Sequence, residues 1–202
     1  MVEDRQQLAI IVASTRQGRF GGVVAQWFLS QARQRDDMDL DLIDLAEVGL
    51  PAVLGQASPA VQAYIERIDR ADAFVVVTPE YNHGYPASLK QAIDLPHGQW
   101  RAKPVGFVSY GGMAGGLRAV EQLRQVFPEL QAMTVRDTVS FHMADARFDE
   151  AGEPREPIGC NAAAHQMLDQ LAWWSAALRA ARRAESARHR MGELALVEET
   201  VS

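Results

Sequence analysis

The chain has 202 residues, 48% hydrophobic and 23% charged, a globular composition that excludes a disordered, collagen-like or disulfide-built protein. Its length suits one domain spanning 1–202, with a core over about 8–190 and a loosely attached C-terminal tail. The 20 Lys and Arg against 26 Asp and Glu leave a net charge of -6, so neither nucleic acid nor an anionic membrane is an expected partner. No apolar run approaches the ~18 residues of a membrane span, and the single cysteine, Cys160, has no internal partner, which together predict a cytoplasmic protein.

Leu8 to Ala13 is a short, nearly continuous apolar run, as expected of a strand buried on both faces. Val23, Val24, Trp27, Phe28 and Ala32 then recur at helical spacing, predicting a helix to about Arg35. Met38 to Leu45 alternates acidic and apolar residues, the pattern of a half-exposed edge strand. Ser58 before Pro59 is a helix start, with Val61, Tyr64, Ile65 and Ile68 on one face. Ala73 to Thr78 is the most strand-like segment and is predicted to be central. A short helix near Ala87 to Leu95, a strand from Pro104 to Ser109, and a helix on Leu117, Val120, Leu123, Val126 and Phe127 follow. Thr134 to Phe141 reads as a fifth strand interrupted by Arg136 and Asp137, and Arg147 to Pro157 as a charged, solvent-exposed loop. A long helix from Asn161 to about Arg190 carries Leu168, Leu171, Trp174 and Leu178 on its buried stripe.

Five strands alternating with helices predict an α/β, flavodoxin-like doubly wound parallel sheet of order 2-1-3-4-5, with helices on both faces. In that order a ligand sits at the carboxyl ends of strands 1, 3 and 4. The loops there are unusual. The first, Ser14 to Gly22, brings hydroxyls, Arg16, Arg19 and glycines to a helix N-terminus, which suits phosphate. The next, Thr78 to Pro86, packs Glu80, Tyr81, Asn82 and Tyr85 between prolines, which suits a flat heteroaromatic ligand. The last, Ser109 to Gly116, is rich in glycines that let backbone approach a ligand or simply supply a turn.

Other chemistries find no motif. No GxGxxG follows the first strand, Leu117-Arg118 stands where a P-loop needs Lys-Ser/Thr, and the Ser109 segment has one residue too many for a nucleophile elbow. The five histidines lack metal-ligand spacing and read as surface residues, so no metal is expected. Cys160, near the start of the last helix, reads as incidental.

The three blocks resemble the NADPH-dependent FMN reductase family, flavodoxin-like enzymes that include quinone, azo-dye and chromate reductases. The resemblance spans about Leu8 to Phe141 and is most specific in Pro79-Glu80-Tyr81-Asn82. It implies that Ser14, Arg16, Arg19 and Phe20 hold the FMN phosphate region, that Pro79, Glu80, Tyr81 and Asn82 line the isoalloxazine, and that Ser109, Gly111 and Gly112 lie near its pyrimidine edge. Ala13 departs from the glycine usual in the family's first loop. The resemblance further implies FMN as cofactor, NADPH or NADH as hydride donor, a small-molecule acceptor, ping-pong kinetics and a homodimer or homotetramer. No side chain stands out as a catalyst. A flavodoxin-like electron carrier and a flavin-binding sensor acting through protein partners are the alternative readings.

Overall fold

The computed structural model describes residues 5–201, with side chains described as far as Arg188. Five parallel strands, β1 (Gln6–Val12), β2 (Met38–Asp44), β3 (Ala73–Pro79), β4 (Pro104–Tyr110) and β5 (Met133–Phe141), form one sheet of order β2-β1-β3-β4-β5. The expected topology and edge position of β2 are both present. Between the strands run α1 (Gly21–Ala32), α2 (Leu45–Val48), α3 (Pro59–Arg70), α4 (Ala87–Asp94), α5 (Leu117–Glu129) and α6 (Ala144–Arg147), and α7 (Pro157–Val201) closes the chain.

Alternation along the central strands divides the core in two. Leu8, Ile10 and Val12 of β1, with Val75 and Val77 of β3, pack under α1 and α7. Ala9, Ile11, Phe74 and Val76 point the other way, against α3, α4 and α5. A pleated strand sends successive side chains to opposite faces, so residues buried on both faces read as the unbroken apolar runs seen in the sequence. Helix α3 starts as its residues dictate: the Val61 N–H donates to Ser58 Oγ at 3.2 Å, and Pro59 takes a position whose N–H has no helical partner anyway.

Differences from expectation have local causes. Helix α1 ends at Ala32, short of Arg35, whose guanidinium instead binds Asp37 at 2.7 Å in the turn to β2. In β5 the register slips: Thr134 pairs with Val105 and Thr138 with Phe107, leaving Val135, Arg136 and Asp137 opposite Gly106. The charged interruption in the sequence is thus an irregularity within one strand, held by the Gln170 Nε2–H bond to Asp137 at 2.8 Å.

The segment Arg147 to Pro157 is mostly exposed, as expected of a charged loop, but two of its residues are anchored in the core. Phe148 is buried, and its ring meets Phe141 at 4.9 Å and Phe20 at 5.4 Å. Pro154 is also buried, and a Phe148–Pro154 bridge folds the segment back on itself. Charge around these residues masked two core anchors. Helix α7 begins at Pro157 and continues to Val201, beyond both expected ends. Its buried stripe is Ala164, Met167, Leu168, Leu171 and Ser175, whereas Trp174 and Leu178 are only half-buried. How firmly the last dozen residues attach lies outside the described side chains.

Candidate active site

The loops after β1, β3 and β4 meet at the carboxyl end of the sheet, as the strand order requires. In the first, Ser14 is fully buried, and its hydroxyl lies 2.6 Å from the Tyr81 hydroxyl of the second loop. The chain then makes a turn in which the Arg19 N–H donates to the Arg16 carbonyl at 3.1 Å. Phe20 precedes α1 without any side-chain cap, and although Val23 donates back to the Phe20 carbonyl at 3.1 Å, the Gly21 and Gly22 N–H groups that open the helix have no side-chain cap among the described residues. Phe20 is held by its ring contacts with Phe148 and Tyr110, at 5.4 and 6.3 Å between centroids.

The two arginines of this loop differ. Arg19 is half-buried, and its Nη2 binds Asp44 Oδ2 at 2.6 Å, which leaves its buried Nε without a partner among the described residues. Arg16 is exposed, its N–H donates to Ser14 Oγ at 3.4 Å, and its guanidinium has no ion-pair or hydrogen-bond partner among the described residues. Asp44 ends β2 and also accepts the Ala46 N–H at 3.0 Å. No sequence signal pointed to its pairing with Arg19, because the partners are 25 residues apart.

The second loop is a tight hairpin. Tyr81 and Gly84 exchange both backbone hydrogen bonds, at 2.8 and 3.1 Å, with Asn82 and His83 at φ 50° and 71°. Two successive positive φ values are the signature of a type I′ turn, and asparagine tolerates that region well. Asn82 thereby sits exposed at the tip, while Pro79 is buried and Tyr81 half-buried. Glu80 is 9% exposed and turns toward α5, where Oε2 accepts the Arg118 N–H at 3.1 Å and Oε1 pairs with the Arg118 guanidinium at 2.8 Å. Tyr85 packs into the core layer under α3–α5.

In the third loop the hydroxyl of Ser109 is fully buried and donates to the Gly115 carbonyl at 2.8 Å, as does that of Ser140 from β5. Ser109 therefore builds the loop and does not face outward. The Gly111 N–H donates to Phe141 at 3.2 Å, and the Gly112 carbonyl accepts from Gly115 and Met143. His142 Nδ1 lies 2.8 Å from the Met113 carbonyl, so the segment after β5 also supports this loop. Burial pushes the Tyr110 phenol well above its ordinary range; the Tyr81 phenol adds to the rise, and the Ser14 hydroxyl opposes it.

The three loops offer FMN both anion donors and space. The uncapped N-terminus of α1, an exposed unpaired Arg16 and the partnerless Arg19 Nε supply anion donors in one loop. Gly112 offers open space above its backbone, so a planar group has room to approach there. The donor set and the space fit the phosphate and ring of such a cofactor.

Comparison with known proteins agrees. The sequence profile described as NADPH-dependent FMN reductase matches residues 7–146. This chain belongs to that family. It is 35% identical over 176 residues to an NAD(P)H-dependent FMN reductase of Schizosaccharomyces pombe, covering 76% of this chain and 87% of the relative. It is also 34% identical over 149 residues to a quinone reductase of Escherichia coli, covering 66% and 76%. Among solved structures, the flavoenzyme NAD(P)H:(acceptor) oxidoreductase FerB from Paracoccus denitrificans superposes with a TM-score of 0.69 at 20% identity, covering 84% of this chain and 97% of that one. The general stress protein 14 of Treponema denticola, solved in complex with FMN, does so with a TM-score of 0.53 at 16% identity, covering 84% and 99%.

The remaining candidates fall outside this convergence. Cys160 lines a hollow of about 360 Å³ between β5 and the start of α7, with Ser140, His142, Arg147 and Glu156. Burial raises its thiol pKa, and Sγ lies 3.3 Å from the Pro157 carbonyl, so its place near a helix start does not make it an activated nucleophile. Among the described residues no three acidic, histidine or cysteine side chains group as metal ligands. His83, His97, His142 and His165 are exposed, and His189 lies outside the described side chains. Among the described residues no helix is long and apolar enough to cross a membrane.

Proposed function

We propose that this protein is an FMN-dependent NAD(P)H oxidoreductase that passes electrons to a small acceptor such as free FMN, a quinone or an azo dye. The observation that carries this reading is that side chains tie the first loop to the second, Ser14 to Tyr81, and the second to the start of α5 just after the third, Glu80 to Arg118, at the one edge where the strand order calls for a ligand. When bound, FMN supplies reversible two-electron chemistry. The chain's part is to hold and tune it. Arg16, the α1 N-terminus and Ser14 would hold the phosphate region, Pro79 to Asn82 would position the ring, and the backbone of Gly111 and Gly112 would lie along its pyrimidine edge. An N–H directed at that edge stabilises negative charge there, as an oxyanion hole does. Arg19 enters as a partly committed donor, sharing its charge with Asp44.

A single cleft at the strand ends would receive donor and acceptor in turn, which predicts ping-pong kinetics. NADPH oxidation by the FMN-loaded protein with a quinone, in the absence of any protein partner, tests the reading. Parallel double-reciprocal lines at several acceptor concentrations support it. Intersecting lines point to a ternary complex, and no turnover without a protein partner points to an electron carrier.

Arg16→Ala is expected to weaken FMN by about 1.5–3 kcal/mol, the scale of a charge-assisted hydrogen bond, and to leave riboflavin affinity unchanged. Paired fluorescence titrations with the two flavins measure this, and equal losses would move the phosphate elsewhere.

The protein acts as a homodimer or larger assembly. Trp173 is 65% exposed and meets the half-buried Trp174 ring at 4.8 Å, giving α7 an aromatic surface outside the sheet contact. Light scattering at micromolar concentration is expected to give at least twice the chain mass, and a monomer mass counts against it.

A further inference from the structure

The geometry points to Arg118 and Gln122 of α5 as positioning residues that hold the Glu80–Gly84 hairpin against the third loop and so set the cleft between them. This inference rests on the flavin reading above. Arg118 and Gln122 stand one helical turn apart and share a face. The first grips Glu80 at the hairpin's start, through both its N–H and its guanidinium. The second donates from Nε2 to the His83 carbonyl at 2.9 Å, at the hairpin's tip. The hairpin is otherwise tied within itself by the two Tyr81–Gly84 hydrogen bonds. It also touches the first loop through the Tyr81 hydroxyl.

Helix α5 begins immediately after Gly116, so its first two turns are a rigid extension of the third loop. A hairpin fastened to positions 118 and 122 cannot shift relative to Gly111 and Gly112 without breaking these contacts. Glu80 is nearly buried, and the Arg118 N–H and guanidinium replace the water its carboxylate has lost. Neither Arg118 nor Gln122 belongs to the loops proposed to touch the cofactor. Their effect on binding passes through the hairpin.

The competing account is that the Glu80 contact merely caps α5, since a carboxylate at a helix N-terminus is stabilising by itself. Three measurements on Arg118→Met, Gln122→Met and the double variant separate the two. Hydrogen exchange at the Tyr81 and Gly84 amides, in protein without FMN, is expected to accelerate in both single variants and most in the double. FMN and riboflavin dissociation constants are expected to rise together, about tenfold each in the double variant. That parallel change differs from Arg16→Ala, which touches FMN alone. Arg118→Lys, which keeps the charge and the backbone contact, is expected to restore most of the affinity.

A lower melting temperature with unchanged amide exchange and unchanged flavin affinity in the folded protein means capping only and overturns the inference. Faster exchange with unchanged affinity overturns the link to the cleft. If the wild type binds neither flavin, the proposed function fails, while amide exchange still decides whether α5 holds the hairpin.

Discussion

Gly112→Val is expected to lose FMN binding by roughly ten- to hundredfold while the cofactor-free protein melts at an unchanged temperature. A Cβ built at Gly112 meets nothing within 4 Å, and its φ lies outside the left-handed region, so valine is compatible with the loop itself. The side chain would then stand in the space offered to the ring edge, where the penalty is that of overpacking, about 1–3 kcal/mol. Gly116→Val supplies the contrast. Gly116 sits at φ +86°, and a Cβ there would lie 2.6 Å from Ser109 Cβ and 2.9 Å from the Tyr110 nitrogen. Left-handed strain and the backbone clash together cost about 3 kcal/mol or more, so this variant should melt about 6–12 °C lower without any cofactor. Fluorescence titration and melting curves on both variants measure the pair. A large stability loss in Gly112→Val with affinity retained in the folded fraction removes Gly112 from the site.

The two glycines show where sequence reading stops. The cluster Gly111 to Gly116 was legible as a place where backbone must be permissive, but permissiveness toward a ligand and toward a turn look alike in one dimension. The fold assigns the turn to Gly115 and Gly116, and leaves Gly112 open. Ser109 and Glu80 illustrate the same limit. The family resemblance places Glu80 along the ring and Ser109 near its edge without saying what their side chains hold: the Ser109 hydroxyl is tied to Gly115 and the Glu80 carboxylate to Arg118. The sheet order was far easier to read. Runs such as Ala73 to Val77 carry their two-sided burial in their composition, and the acidic alternation of β2 marks an edge without reference to anything distant. Arg19 with Asp44, and Arg118 with Glu80, depend on pairs 25 and 38 residues apart, which only the assembled sheet brings together.

Phe148→Ala should destabilise the fold more than its charged neighbourhood suggests, by about 3–5 kcal/mol, the range for deleting a buried aromatic ring. Phe148 is 3% exposed and packs among Phe20, Trp27 and Phe141, at centroid distances of 5.4, 6.5 and 4.9 Å. Removing it leaves a cavity beside Trp27, whose indole N–H is committed to Asn161 at 2.9 Å and whose ring meets Phe141 edge-on. Such a framework has little freedom to collapse into the gap, which places the cost toward the upper end. A domain of this size loses about 2–4 °C per kcal/mol, so the melting temperature should fall on the order of 10 °C. The loss also reaches the candidate site, because Phe20 stands at the N-terminus of α1 and leans on Phe148. FMN affinity measured well below the melting transition should therefore fall as well, whereas riboflavin, lacking the phosphate, should fall less. Phe148→Leu, which refills most of the volume, should recover most of the stability. A melting temperature within 2 °C of wild type in Phe148→Ala, set against the ~2–4 °C expected from each kcal/mol, would show that the segment after β5 is no part of the core.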